Sequence, residues 1–161
     1  MSLKNYHQLI DNICELTMLP DPASLYEVAS ISVRNINFSL LYKENAVLGE
    51  VQIFCGFGPL PTQQRERVLQ RLLETNLYLC TGPGSPTLTY NAETGQVVLV
   101  CIFPLGALEA QPLLDMLGHL AETAKRWQST YFLTEEDSQV RTQTAQRAPA
   151  LQRNFNTAVQ R

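Results

Sequence analysis

Charged residues are scarce in this 161-residue sequence, at 17%, and there is no basic excess: Lys plus Arg number 12 against 15 Asp plus Glu, a net charge of -3. That lack excludes general nucleic-acid binding and attraction to anionic membranes, since both need a basic surface. No apolar run approaches the roughly 20 residues that cross a bilayer, and the polar start after Met1 lacks the pattern of a signal peptide. The expectation is a soluble, cytoplasmic chain without membrane insertion. Histidine is limited to His7 and His119, and the four cysteines, Cys14, Cys55, Cys80 and Cys101, show no paired spacing. Each cysteine sits among apolar residues, which predicts reduced thiols that pack as small hydrophobes.

Catalytic chemistry is equally thin. Asp115 lies four residues before His119, but one such pair is an ordinary helix contact and cannot fill a metal site of three or four ligands. The segment Gly56-Phe57-Gly58 lacks the third glycine and the lysine of a phosphate loop, and Pro59 and Pro61 remove amide donors. Ser85, in Gly82-Pro83-Gly84-Ser85-Pro86, lacks the spacing of a nucleophile elbow and belongs to a turn. Glu50 and Gln52 read as the solvated face of a strand. No nucleophile with a base and no acid/base pair can be assembled, so the expectation is no enzyme, no metal and no cofactor.

What the sequence does have is apolar residues, 45% of the total, enough for one domain to bury its own core. Ser2 caps a predicted first helix whose stripe is Leu3, Tyr6, Leu9, Ile10, Ile13, Cys14 and Leu16. From 27 to 57 the period becomes two. Ala29/Ile31/Val33, Ile36/Phe38/Leu40/Tyr42 and Val47/Gly49/Val51/Ile53/Cys55 predict a three-strand meander, with a turn at Lys43-Glu44-Asn45-Ala46. A helix with Thr62 as N-cap follows, carrying Val68, Leu69, Leu72, Leu73, Leu77 and Leu79. The Gly/Pro turn at 82–86 then ends it. Next comes a hairpin, Thr87-Leu88-Thr89-Tyr90 turning through 91–95 into the unbroken apolar run from Gln96 to Phe103. A third helix carries Leu108, Leu113, Leu114, Leu117, Leu120, Ala121, Ala124 and Trp127. The fold class is therefore α+β, in the order α-β-β-β-α-β-β-α, with a twisted antiparallel sheet and flanking helices. Residues 1–133 form one domain. The polar tail, 134–161, has four arginines against Glu135, Glu136 and Asp137, a charge of +1, and is expected to be flexible or weakly helical.

The apolar residues exceed what one such core can cover. Leu41, Leu48 and Phe54 fall on strand faces opposite the core stripe, and Val98, Val100 and Ile102 line the second face of the last strand. The middle helix is apolar around well over a hundred degrees. Each large side chain left in water forgoes roughly 1.5–3 kcal/mol, so a homodimer is expected, with Leu69, Leu72, Leu73, Val98, Val100 and Ile102 at its interface. The alternative is a deeper monomeric core under the third helix.

The run Leu72-Leu73-Glu74-Thr75-Asn76-Leu77, the Gly-rich loop, the hairpin from Leu88 to Leu99, then Phe103-Pro104-Leu105 and a Leu-rich helix ending at Trp127 resemble the class I type III secretion chaperones, the Tir-chaperone-like (CesT) family. The likeness runs over about residues 1–130 in element order, and the tail departs from it. The resemblance implies a small acidic homodimer in the bacterial cytoplasm, without enzymatic activity. Such a protein binds the N-terminal segment of a secreted effector and keeps it soluble and secretion-competent, with the secretion apparatus and its ATPase as further partners. It also implies a client held in extended form on apolar patches and at a sheet edge. The residues assigned to effector contact are Leu41, Leu48 and Phe54, with Leu9 and Ile13 if the first helix leaves a groove beside it. Two other readings are a small α+β ligand-binding domain or enzyme, which would need a pocket with converging polar groups, and a dimeric adaptor unrelated to secretion.

Overall fold

A computed structural model describes residues 2–44, 49–82 and 84–134. Its elements are α1 (Ser2–Thr17), β1 (Ala29–Val33), β2 (Ile36–Lys43), β3 (Glu50–Pro59), α2 (Arg65–Leu79), β4 (Thr87–Asn91), β5 (Gln96–Pro104) and α3 (Ala110–Thr130). Short 3-10 turns at Pro22–Leu25 and Leu105–Ala107 fill two connections. The order and the antiparallel pairing are those the sequence predicts. The strands form one sheet, β1-β2-β3-β5-β4, with β3 at its centre.

Period-two alternation divides the sheet into two unlike faces. Ile31, Phe38, Leu40, Val51, Ile53, Cys55, Val97, Leu99 and Cys101 all point inward and are buried. They meet α1 through Tyr6, Ile10 and Ile13, and α3 through Leu113, Leu117, Ala121, Ala124 and Trp127, each at positions three or four apart on its helix. The Tyr6 hydroxyl donates to the Leu40 carbonyl at 3.2 Å and is satisfied inside the core, whereas the buried Trp127 Nε1 meets no acceptor among the described residues. α1 and α3 thus cover the same face of the sheet, and among the described residues no helix covers the other.

The turns follow from local chemistry. Arg34 and Asn35 have φ of 52° and 64°, the two positive values that a two-residue hairpin turn requires. Asn91 organises the β4–β5 turn, its Oδ1 accepting from the amides of Glu93 at 3.0 Å and Thr94 at 3.3 Å. Ser85 accepts from the amides of Thr81 and Gly82, both at 2.9 Å, and so ties up the loop before β4. This is the structural role expected of it. Gly84, at φ +79°, stands so close to β5 that a Cβ would lie 2.7 Å from the Ile102 carbonyl oxygen.

β3 ends at Pro59, inside the segment expected to close it, and carries a bulge between Gly56 and Gly58; Phe57 continues the inward alternation at 0% exposure. Two expectations need correction. α2 begins at Arg65 behind Gln64, which has φ +56°, so Thr62 is not its cap. α3 starts at Ala110, leaving Leu108 in the extended connection before it. Val47, the Asn45-Ala46 part of the predicted turn and the tail beyond Thr134 lie outside the described residues.

Cys55 and Cys101 lie on the inner face, where burial pushes their thiols up to about 12 and about 11; Cys101 beside Cys55 adds to the rise there. Burial, with Asp11 and Asp21 nearby, also raises Cys14, whereas Cys80 is exposed at the end of α2. Because the thiolate is the reactive form, a thiol reagent at pH 8 should label Cys80 first. Cys55 and Cys101 should react only after denaturant unfolds the sheet; mass spectrometry of the labelled peptides checks this, and early labelling of either would contradict the packing.

Candidate functional site

The face of the sheet that no helix covers carries an apolar centre. Phe54 lies directly opposite Val100 on β5 and Ser39 on β2, and Leu41 aligns through Gln52 with Ile102. Phe54, Leu41, Val98 and Val100 are half-buried by one another, and Ile102 is exposed. Toward β1 the face becomes small and polar, with a hollow of about 380 Å³ lined by Ser30, Ser32, Asn37 and Ser39. Glu50 and Gln52 also lie on this outer face, as ordinary alternation predicts. The structure therefore brings together Leu41, Phe54, Val98, Val100 and Ile102, which the sequence had divided between client and dimer contact. Leu48, the remaining client candidate on the strands, lies outside the described residues.

The helical candidates separate. Leu9 and Ile13 are 5% and 1% exposed and serve the core; no open groove lies over Ile13. Leu9 reaches only the wall of a polar cleft of about 390 Å³ beside Asn5, Gln8, Asn12 and Glu109. On α2, Leu72 is also inward at 5% exposure and Leu69 is half-buried, but Leu73 is 71% exposed. Leu77 and Tyr78, not named among the sequence candidates, are exposed with it. Leu73 and Leu77 are one turn apart, so they share a solvent-facing stripe. The correction is one of phase. Successive helical residues point about 100° apart, so the apolar pair 72–73 straddles the boundary between core and surface.

The two edges of the sheet differ in kind. On β4, the Asn76 side chain from α2 accepts from the Leu88 amide at 2.8 Å and donates to the Leu88 carbonyl at 3.0 Å. Its carboxamide does to that residue what a sixth strand would do. The next outward position toward the start of β4 is Pro86, which has no amide hydrogen. Arg65 also donates to the Tyr90 hydroxyl at 2.9 Å, with its guanidinium 5.1 Å from the ring centre, and so holds the first turn of α2 against the strand. At the other edge, β1 has no strand beyond it among the described residues. The Arg34-Asn35 turn makes Val33 and Ile36 a hydrogen-bonded pair, so Ile31 and Ala29 also bond to β2. The backbone groups of Ser30 and Ser32 therefore turn outward, next to their small exposed side chains.

Among the described residues the titratable groups do not converge on a reaction centre. His7 stacks on Tyr26 with ring centres 3.9 Å apart, and the Tyr26 hydroxyl donates to Asp11 at 2.7 Å. Asp115 accepts from Gln111, and among the described residues no three His, Cys, Asp or Glu side chains cluster as ligands. The arrangement can bind an extended apolar segment: it offers edge amides and carbonyls beside an apolar face.

A sequence model of the Tir chaperone protein (CesT) family matches residues 8–128. Among solved structures, a chain of the ExsC-ExsE complex superimposes with a TM-score of 0.62 at 16% identity, covering 78% of this chain and 92% of its own. A chain of the HopA1-SchA chaperone-effector complex gives 0.59 at 16% identity, covering 81% and 98%. A comparison with curated protein sequences returns no significant match.

Replacing Asn76 with Ala leaves the part-buried Leu88 amide and carbonyl without that partner. It should cost about 1–2 kcal/mol, from two hydrogen bonds of ordinary strength, and make self-association rise with concentration as β4 becomes a free edge. Urea midpoints and sedimentation velocity read the two effects. An unchanged midpoint would mean that the carboxamide does not close the edge.

Proposed function

The chain belongs to the Tir chaperone protein (CesT) family, and on that premise we propose that it acts as a type III secretion chaperone, binding the N-terminal region of a cognate secreted effector. The observation that carries the proposal is the asymmetry of the sheet edges: one is closed by Asn76 and Pro86, and the other, at Ser30 and Ser32, is open. An extended client segment pairs with β1 through its backbone, which gives affinity largely independent of its sequence. Alternate client side chains lie over the hollow beside Ser39 and point toward Leu41 on β2, and a further part of the client crosses the outer face to cover the apolar centre at Phe54. Burial of those side chains drives binding, so no nucleotide is required. The client stays unfolded because its apolar residues are sequestered one strand at a time, outside any core of its own.

The second element of the proposal is a homodimer. Leu73, Leu77 and Tyr78 form an exposed apolar stripe on α2, and Ile102 stands exposed on β5. Apolar groups concentrated in this way mark an interface with another protein surface. A twofold contact would bring two copies of the stripe together and double the length over which one client can run. Acting on the cytoplasmic side of the export apparatus, such a dimer delivers the client.

Two experiments test these elements. The effector expressed beside the chaperone gene, or one recovered by pull-down from the native bacterium, is shortened to its N-terminal segment and titrated by calorimetry. Ser32→Pro, which removes one outward amide at an exposed position, should weaken binding about tenfold or more, and Phe54→Asp should abolish it, with the far-ultraviolet spectrum unchanged in both. Unaltered affinity in Ser32→Pro would remove β1 from the site. For the dimer, Leu73→Asp should convert the protein to a folded monomer in size-exclusion light scattering. Leu72→Asp is the wrong probe, because its side chain is buried in the protomer and a carboxylate there would attack the fold itself. A Leu73→Asp variant that remains dimeric would move the interface off this stripe.

A further inference from the structure

α2 and α3 do not close against each other. Between them lies an apolar groove of about 380 Å³, walled by Leu79 and Thr75 on α2 and by Leu120 and Thr123 on α3, with Leu88 and Leu99 of the sheet at its floor. Its volume is in the range of sites that enclose a ligand, about 300–1,000 Å³. At its mouth stands Phe132, beneath the Arg126 guanidinium, 5.8 Å from the ring centre. The chain ends α3 there: Tyr131 and Phe132 have φ of 51° and 56°, and Leu133 donates to the Thr130 carbonyl at 2.9 Å. The last described residues, from Phe132 to Thr134, therefore stand at the lip of the groove.

The sequence after Thr134 carries an apolar row with no assigned partner. Between 135 and 161 the large apolar residues are Val140, Leu151, Phe155 and Val159, and the last three recur every fourth position after Pro149. That spacing puts them on one face of a helix whose first turn accepts proline. We propose that the segment 149–160 of this chain occupies the groove between α2 and α3, with Leu151, Phe155 and Val159 against Leu79, Leu120 and the floor. The intervening residues, 135–148, span up to roughly 45 Å when extended, so the row reaches any part of the groove. Tethering raises its local concentration to about the millimolar range, so a weak apolar contact is enough to fill the site. The segment lies beyond the residues the family model matches, so this contact belongs to this chain and does not depend on the chaperone reading.

Hydrogen exchange of the full-length protein tests the proposal. Amides of 150–161 should exchange at least about tenfold more slowly than in a free peptide of the same sequence, at a rate independent of protein concentration. Thr123→Trp, which fills the groove, and Phe155→Ser, which removes the central side chain, should both abolish the protection. Phe155→Ser leaves the body of the protein unaltered, so faster exchange around Leu79 and Leu120 in that variant reads the same contact from the groove side even if Thr123→Trp fails to fold. Exchange at the free-peptide rate in the unmodified protein would overturn the proposal. So would protection that survives Phe155→Ser, or protection lost on dilution, which would mean that a second copy's tail fills the groove.

Discussion

The fold depends on one unequal division: a five-stranded antiparallel sheet whose two faces are both apolar at the centre, with helices enough for only one. The inner face, built from Ile53, Val51, Leu99 and their neighbours, takes α1 and α3 and becomes the core. Nothing in the described chain is left to cover Phe54, Val98, Val100 and Ile102. A sheet in this condition is stable because its inner side alone forms a continuous buried layer, and the exposed side is tolerable because its edges are managed. Asn76 occupies one of them. An unguarded edge at both ends of a sheet with an apolar face is a geometry prone to aggregate, and the carboxamide contact removes one of the two.

The same division explains how specificity and promiscuity can coexist. In the proposed mode of binding, backbone pairing at the edge asks little of the client sequence, while the apolar centre, two strands in from β1, selects large side chains in the part of the client that crosses the outer face. The small serines of β1 and β2 matter because they keep that path low: bulky residues at Ser30, Ser32 or Ser39 would lift an added strand's side chains off the sheet. Closing β4 with a side chain rather than a strand leaves α2 standing beside the sheet. Its outward stripe, Leu73 and Leu77, then faces away from the protomer.

Much of this was legible from the sequence, for definable reasons. Alternation in 29–55 gave the strands and their faces, because a period of two leaves no ambiguity once one strand is anchored, and the outward set Leu41, Phe54, Val98, Val100 and Ile102 follows from parity alone. The helix was harder. In α2 apolar residues occupy 68, 69, 72, 73, 77 and 79, and a stripe that wide does not reveal its centre; only the position of the sheet decides that Leu72 turns in and Leu73 out. The bulge at Gly56–Gly58 was hidden because glycine marks both bulges and strand ends. The Asn76 contact was not legible at all. It joins a helix to a strand twelve residues away through one side chain, and no local pattern distinguishes such an asparagine from one facing water.

The groove between α2 and α3 follows from the same geometry. Asn76 and Arg65 fasten α2 to β4, at the rim of the sheet, while α3 lies across its middle strands, so the distance between the two helices is set by their separate attachments and not by contact with each other. Leu79 and Leu120 are consequently left facing a hollow that neither helix can move to fill without breaking its own anchorage. Only a group that enters from outside these two attachments can occupy it. The chain's own apolar row, which follows Phe132 at the groove's lip in sequence, is the occupant that no diffusional encounter has to supply.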